Sequence, residues 1–274
     1  MSDAAGSVRD ADPVFARVMT WLAPVLVGVV FLGGWELLVR ANHIPVYILP
    51  GPVAIATKLW ADWGTLSGSL LVTLQITLTA LLVAVIGGGG LAVLFAQSRW
   101  VERSLFPYAV ILQVTPIVAI APLILIYVPN TRAALLICAW IVAFFPILSN
   151  TTLGLNSVDP NFVDLMQLYR ARRWQVLWLL RLPGAMPYFL GGLRIAGGLS
   201  LIGAVVAEFA AGTAGAGSGL AYRILESGYR LDIARMYAGL VLLSLTGIVI
   251  FAVFSVLSWL MLLRWHESAA RHER

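Results

Sequence analysis

The stretch Met236–Leu263 reads MYAGLVLLSLTGIVIFAVFSVLSWLMLL and contains no Asp, Glu, Lys or Arg. A helix needs roughly 20 predominantly apolar residues to cross the hydrocarbon core of a bilayer, which is about 30 Å thick. This stretch exceeds that length and carries no charge that would have to be buried in lipid. It therefore predicts a membrane-spanning helix.

The composition of the whole chain agrees with this one stretch. Of its 274 residues, 60% are hydrophobic and only 11% are charged, whereas about a quarter of the residues of a soluble domain are charged. The chain lacks the charges needed to cover a water-facing surface, which excludes a disordered protein and a nucleic-acid-binding module. Its single cysteine, Cys138, cannot form a disulfide within the chain. The composition predicts an all-α polytopic membrane protein.

Five further segments are long and apolar enough to span the membrane. In chain order, the six predicted transmembrane helices are Trp21–Val39, Leu70–Phe95, Leu105–Val128, Ala133–Leu148, Pro187–Ala211 and Met236–Leu263. Residues 1–19 are then an N-terminal tail, 20–263 a single membrane domain and 264–274 a C-terminal tail. The longest internal connection covers about residues 150–186.

The distribution of basic residues predicts the orientation. With both termini in the cytoplasm, the external Lys and Arg residues are Arg40, Lys58, Arg132, Arg223, Arg230 and Arg235. Arg194 lies within a span, so 11 of the 18 basic residues fall on the cytoplasmic side, against 6 outside. Cytoplasmic loops of membrane proteins carry such an excess. We therefore expect both termini to be cytoplasmic.

The internal connection contains a predicted short helix. Asp159-Pro160 is a favourable helix start, with the carboxylate at the N-cap and proline at the first helical position. The apolar residues that follow recur at helical spacing and are expected to form one face: Phe162, Val163, Met166 and Tyr169. Two interpretations are open, an interfacial helix lying on lipid or a docking helix for a soluble partner.

The residues needed for catalysis or metal binding are missing from the spans. The three histidines, His43, His266 and His272, all lie outside the predicted spans, so a histidine-ligated metal and a Ser–His nucleophile both lack a residue. The glycine run Gly87–Gly90 has no Lys-Ser or Lys-Thr after it, which excludes a phosphate-binding loop. We expect it to permit close helix packing instead. The sequence predicts no catalytic, metal or nucleotide site.

Polar residues within the spans are candidates for lining a translocation path. They are Gln75, Gln113, Thr115, Asn150, Ser200 and Glu208. A carboxylate at membrane depth is costly and commonly functional. For Glu208 two interpretations are open: the side chain faces protein or pore, or it lies in water at the external interface.

One part of the internal connection resembles a known family. Asp159–Pro183 reads DPNFVDLMQLYRARRWQVLWLLRLP and is similar to the cytoplasmic loop of the membrane subunits of bacterial ATP-binding-cassette (ABC) importers. That loop has the pattern E-A-A, three residues, G, nine residues, I, one residue, L-P. Asp164-Leu165-Met166 stands at the E-A-A positions and Arg170 at the glycine, while Leu180 and Leu182-Pro183 complete the spacing.

Further stretches extend the resemblance from about Leu49 to Leu263. LPGP at 49–52, PIVAIAPLILIY at 116–127, FFPILSNTTLGLNSVDP at 144–160 and GGLRIAGGLSLIGAVVAEF at 191–209 are similar to the nitrate, sulfonate and taurine branch of these permeases. The segment IGAVVAEF is also similar to permeases for pyrimidine precursors or riboflavin. The solute implied is therefore either a small anion or a heterocycle.

The resemblance implies a bacterial inner-membrane permease subunit that is not itself an enzyme. It implies separate ATPase subunits that bind ATP and Mg, a second permease copy forming a homodimer, an external solute-binding protein and surrounding lipid, with no cofactor on this chain. The residues implied in ATPase coupling are Asp159, Phe162, Val163, Asp164, Leu165, Met166, Tyr169, Arg170, Leu182 and Pro183. An ion-coupled carrier or channel without an ATPase is the alternative function, and a membrane-embedded enzyme is a second one.

Arg170 departs from the family pattern at the glycine position. Glycine takes a positive φ without steric cost, whereas arginine is penalised there. We therefore expect Arg170 to have an ordinary backbone conformation, or the turn to move to a neighbour. Alternatively, the Arg170 side chain pairs with an acidic residue of the ATPase.

Overall fold

The computed structural model describes residues 13–212 and 217–263, and every regular element in this part is a helix. The tails 1–12 and 264–274 lie outside the described residues. In chain order the helices are α1 Pro13–Ala41, α2 Pro52–Ala61, α3 Trp63–Gln97, α4 Arg99–Val114, α5 Ile117–Tyr127, α6 Thr131–Asn156, α7 Pro160–Leu168, α8 Arg173–Val176, α9 Leu182–Ala211, α10 Leu220–Tyr229 and α11 Ile233–Leu262. A π-helical turn, Leu177–Arg181, joins α8 to α9. The predicted all-α polytopic fold is confirmed.

Five of the six predicted spans correspond to single long helices: α1, α3, α6, α9 and α11. The third predicted span is not straight, because the direction of the chain changes by 100° between α4 and α5, at Thr115-Pro116. Proline has no amide hydrogen to donate, and it disfavours helical geometry in the residue before it. The sequence shows the proline, but the size of the bend is a property of the tertiary structure.

The packing of α3 against α6 shows that the bent pair must cross the bundle. Gly88 approaches Phe144 and Ile147, while Ile76 and Ala80 share a buried cluster with Cys138 and Ala139. Contacts therefore advance along both helices together, so α3 and α6 run parallel. A chain that leaves the end of α3 must return to the opposite end before α6 begins, and α4–α5 is the segment that makes this return.

The centre of the fold is α6, which packs between α3 and α9. Two glycines of α9 allow this close approach. A Cβ at Gly203 would lie 2.8 Å from the Cα of Ala139, and one at Gly192 would lie 2.8 Å from the carbonyl oxygen of Pro146. Small residues at contacts let membrane helices approach closely. In the run Gly87–Gly90 only Gly88 is pressed against a neighbouring backbone, so the predicted close packing applies to one glycine of the four.

The short helices divide between the two ends of the bundle. The helices α2 and α10 follow the ends of α1 and α9 and pack against α11 near its start. The helices α7 and α8 belong to the connection from α6 to α9 at the other end. The long α1 is exposed over nearly all of Leu22–Leu38, so most of its surface faces lipid or another chain.

Candidate functional site

The predicted helix α7 begins where the sequence indicates. The side chain of Asp159 accepts a hydrogen bond from the amide of Asn161 at 2.9 Å, and Pro160 occupies the first helical position. Free amide groups at a helix start need an acceptor, and proline has no amide hydrogen that would need one there. The start of α7 is therefore determined by local chemistry alone.

The apolar residues of α7 point in two directions. Phe162, Leu165 and Leu168 are 56%, 49% and 82% exposed, and Tyr169, at the C-cap, is 80% exposed. Val163 and Met166 are half-buried. The single predicted face of Phe162, Val163, Met166 and Tyr169 is therefore divided, because Val163 and Met166 turn toward the bundle. The exposed apolar edge of α7 consists of Phe162, Leu165, Leu168 and Tyr169, and the sequence analysis missed Leu168.

The end of α7 contradicts the expected geometry of Arg170. Its φ is 52°, the left-handed conformation that glycine would adopt. The amide of Arg170 donates to the carbonyl of Gln167 at 2.8 Å, and the amide of Ala171 donates to that of Met166 at 2.9 Å. These two bonds form a Schellman motif, which requires a left-handed residue at this position. The turn did not move to a neighbour, and the arginine bears the strain.

The segment after α7 is tied back to the membrane helices. The Arg181 guanidinium donates to the carbonyl of Ala96, at the end of α3, over 2.9 Å. The π-helical turn that contains Arg181 precedes Leu182-Pro183, where α9 starts. Since Pro183 cannot donate the bond that a regular α-helix needs at this point, the turn widens. A hydrogen bond therefore holds the segment between α8 and α9 to the end of α3.

The translocation-path candidates do not come together in one place. Gln75 on α3 and Gln113 on α4 are exposed, and Thr115 is half-buried at the bend, with its hydroxyl donating to Ile111 at 2.7 Å. Asn150 is half-buried and donates to the carbonyl of Pro146 at 2.8 Å. Ser200 is buried and donates to the carbonyl of Thr77 on α3 at 2.7 Å. The six residues lie on α3, on α4, at the bend, on α6 and on α9, and their role in a path stays a prediction.

Glu208 forms a buried three-helix junction. It is 2% exposed. Its carboxyl group accepts from the Thr73 hydroxyl on α3 at 2.8 Å and from the amide of Ala221 on α10 at 3.0 Å. The amide of Leu220 in turn donates to the Thr73 hydroxyl at 2.8 Å. The side chain thus faces protein and not lipid or the external surface.

The chemistry of this junction is that of a helix cap. Leu220 and Ala221 begin α10, where free amides attract an acceptor or a negative charge. Gly219 is required beside them, because a Cβ there would overlap the Glu208 carboxylate. Thr73 is a residue of this junction that the sequence analysis missed. Its only signal was a hydroxyl within an apolar span.

A similar arrangement occurs at the end of α1. The Glu36 carboxylate accepts from the amide of Val53, at the start of α2, at 3.1 Å, and pairs with Arg40 at 2.6 Å. Lys58 of α2 pairs with Asp232 at the start of α11 at 3.0 Å, and its hydrogen bond to Asp232 raises the pKa of Lys58. Polar contacts therefore hold both short helices at this end of the bundle.

Comparison with known proteins identifies the family. The model of the "Binding-protein-dependent transport system inner membrane component" family matches residues 84–262. The riboflavin transport system permease protein RibX of Chloroflexus aurantiacus is 31% identical over 236 residues, 85% of this chain and 86% of the relative.

Two further relatives extend the comparison. The formylaminopyrimidine transport permease protein ThiX of Halalkalibacterium halodurans is 31% identical over 246 residues, 88% of this chain and 95% of the relative. The putative aliphatic sulfonates transport permease protein SsuC of Bacillus subtilis is 26% identical over 231 residues, 83% and 82% of the two chains. These matches support an importer permease and not an ion-coupled carrier. The chain belongs to the family of binding-protein-dependent transport system inner membrane components, the permease subunits of ABC importers.

Proposed function

We propose that this chain, with a second copy of itself, forms the translocation path for a small solute in the bacterial inner membrane. Separate ATPase subunits drive transport, and an external binding protein delivers the solute. Both termini and α7 face the cytoplasm. The observation that carries this proposal is the exposed apolar edge of α7. This helix lies in the segment between α6 and α9, and Arg181 near the end of that segment donates to the end of α3.

The α7 edge fits a protein partner better than a bilayer. Asp159 and Asp164 are exposed on α7, and Arg170 is held at its end by a strained turn. A helix that lies on lipid typically carries Lys and Arg on its polar face. Four exposed apolar residues on such a short helix match the small set of anchors that dominates a protein interface. We assign this edge to the ATPase groove.

The test is recovery of the ATPase with a variant permease. Leu165→Asp combined with Tyr169→Ala removes two anchors that do not pack against the bundle. Loss of an anchor costs about 2–4 kcal/mol, and about 1.4 kcal/mol is tenfold in affinity. We expect normal insertion, at least tenfold lower recovery of the ATPase on the tagged permease, and loss of ATP-dependent uptake.

The matched control for this variant is Asn161→Ala, an exposed polar position on the same helix. It is expected to recover the ATPase as the wild type does. Equal recovery with the wild type and the double variant at equal membrane abundance contradicts the α7 assignment. A defect that changes with lipid charge while the ATPase stays bound indicates a lipid-lying helix instead.

Exposed side-chain amides within the membrane helices support the proposal that a second copy binds this chain and that a path runs between the copies. Gln75 lies on α3 about 18 Å along the helix axis from Trp63, at about 1.5 Å per residue, yet its side chain is exposed. A free amide facing hydrocarbon costs several kcal/mol. We therefore propose that Gln75 faces the second copy or a water-filled path, and Gln113 likewise. Crosslinking of Gln75→Cys between copies, or its labelling by a small aqueous thiol reagent, tests this, whereas reactivity with neither contradicts it.

For the solute we favour the heterocycle class over the anion class. The relatives named for riboflavin and formylaminopyrimidine transport are each 31% identical, whereas those named for sulfonate and nitrate transport are 26–28% identical. Calorimetry of the cognate binding protein with riboflavin, a formylaminopyrimidine, taurine and nitrate tests the choice. Tight binding of taurine or nitrate alone would overturn it.

A further inference from the structure

A groove runs between α7 and the membrane helices, on the side of α7 opposite its exposed apolar edge. It consists of two adjoining cavities of about 790 Å³ and 490 Å³. Val163 of α7 lines both, together with Ala96, Arg99 and Arg181. A partner bound to the exposed edge of α7 would not fill this groove, because the groove lies on the other side of the helix.

The two cavities differ in charge. The smaller one is lined by Arg99, Arg173 and Arg181 and by no acidic residue. The larger one adds Arg103 but also Glu102 and Asp164. Among the described residues, none of the ion pairs involves these four arginines. The smaller cavity therefore holds an uncompensated concentration of positive charge.

One of the three arginines of the smaller cavity is held in place before any ligand binds. Arg181 donates to the carbonyl of Ala96 and so uses one of the five donors of its guanidinium. The guanidinium group matches phosphate oxygens with paired donors. Three arginines around one cavity suit an anion with several oxygens better than a single carboxylate.

The larger cavity supplies an apolar floor beside this charge. Phe95 and Leu155, 1% and 0% exposed, line it together with Phe106. Exposed tryptophans follow two of the lining arginines in the sequence: Trp100 after Arg99 is 80% exposed, and Trp174 after Arg173 is 63% exposed, with Trp178 one turn later at 53%. Tryptophan is typical of the headgroup level of a bilayer, and basic pockets between membrane helices bind anionic headgroups.

From this placement we infer that the groove under α7 binds an anionic phosphate group through Arg99, Arg173 and Arg181, supplied by a phospholipid whose apolar part lies over Phe106. The inference rests on the cavities and their charge and does not depend on the proposed function. A lipid bound there would contact α7 from the membrane side and so bias the position of the helix.

The test uses the full-length chain, stripped of lipid in a neutral detergent. Its thermal midpoint is measured against dioleoylphosphatidylglycerol, dioleoylphosphatidylcholine, and sodium phosphate at an ionic strength matched with sodium chloride. The variant is Arg99→Gln with Arg173→Gln, which leaves Arg181 in place to hold α3. The control is Arg172→Gln, an exposed neighbour that lines neither cavity.

We expect phosphatidylglycerol to raise the midpoint more than phosphatidylcholine does. Each arginine near an anionic headgroup contributes about fivefold in affinity, so the double variant should need about twenty-five-fold more lipid for the same shift. The control should behave as the wild type. If sodium phosphate alone reproduces the shift, the phosphate site stands and its source is soluble. Equal shifts with both lipids and none with phosphate, or an equal loss in the control, would overturn the inference.

Discussion

Replacing Thr73 with valine tests the three-helix junction around Glu208. Thr73 is fully buried, and valine has nearly the same shape, so the change leaves little cavity. It removes one hydroxyl that both donates to Glu208 and accepts from the amide of Leu220. Both partners are buried and each loses a hydrogen-bond partner. The substitution therefore isolates the polar contribution of the junction.

The expected magnitude follows from counting the unpaired groups. The amide of Leu220 loses its hydrogen-bond partner, whereas Glu208 keeps its bond from the amide of Ala221. One buried polar group without a partner predicts a loss of about 1–3 kcal/mol in the free energy of unfolding. An average hydrogen bond between membrane helices contributes only about 0.6 kcal/mol. The junction should exceed that average because one hydroxyl serves two partners on two helices.

The matched control is Thr77→Val, one turn further along α3. Thr77 is equally buried, but its hydroxyl donates to the carbonyl of Thr73 in the same helix, at 2.8 Å. Its loss should cost less than about 1 kcal/mol. The assay is reversible unfolding by titration with sodium dodecyl sulfate, carried out on the purified full-length chain. A loss below about 1 kcal/mol in Thr73→Val, or equal losses in both variants, refutes the reasoning.

Three further predictions concern other parts of the chain. Arg170→Gly removes a left-handed arginine, which relieves about 1–2 kcal/mol of strain, but it also stabilises the unfolded chain by about 0.4–1 kcal/mol through entropy. The free energy of unfolding should therefore be unchanged or up to about 1.6 kcal/mol higher. A clear decrease contradicts the Schellman geometry. Cysteines introduced at Ser2 and Ser268, which lie outside the described residues, should resist an impermeant thiol reagent added to intact cells, and labelling of either overturns the orientation. The hydrogen bond from Arg223 lowers the pKa of Glu226, so its stabilisation is present above the ordinary value of 4.5 and is lost as pH falls through the lowered value. Glu226→Gln should therefore lose less stability than the wild type on acidification below about pH 4.5, which thermal midpoints across that range would measure.

The α7 segment shows where prediction from sequence succeeds and where it stops. The start of the helix depends on Asp159 and Pro160, which act on backbone groups within two residues, so the sequence predicted it correctly. Which side of α7 is exposed depends on where the bundle lies, and the predicted face mixed exposed Phe162 with half-buried Met166. The residue at which α7 starts follows from local chemistry, whereas the side of α7 that is exposed depends on the helices packed against it.

Arg170 shows a local rule overridden by hydrogen bonding. Steric preference alone predicts that arginine avoids a positive φ. The two amide bonds to Gln167 and Met166 that close the end of α7 satisfy carbonyls that would otherwise lack partners. Their combined gain exceeds the strain at one residue. The sequence shows arginine at the glycine position, but it does not show whether the hydrogen bonds or the steric strain is larger.

The amino-acid sequence by itself determined the class of the protein, five of the six predicted spans, the start of α7 and the family resemblance. These depend on apolar length, on local capping and on spacing, all of which are readable within a few tens of residues. Only the tertiary structure decided the 100° bend between α4 and α5, the groove under α7 and the partners of Glu208. Thr73 and Glu208 are 135 residues apart in the chain, and no local pattern pairs them. They meet because small residues let α3, α6 and α9 pack closely. A buried carboxyl group needs hydrogen-bond donors, and this packing places the Thr73 hydroxyl within reach of Glu208.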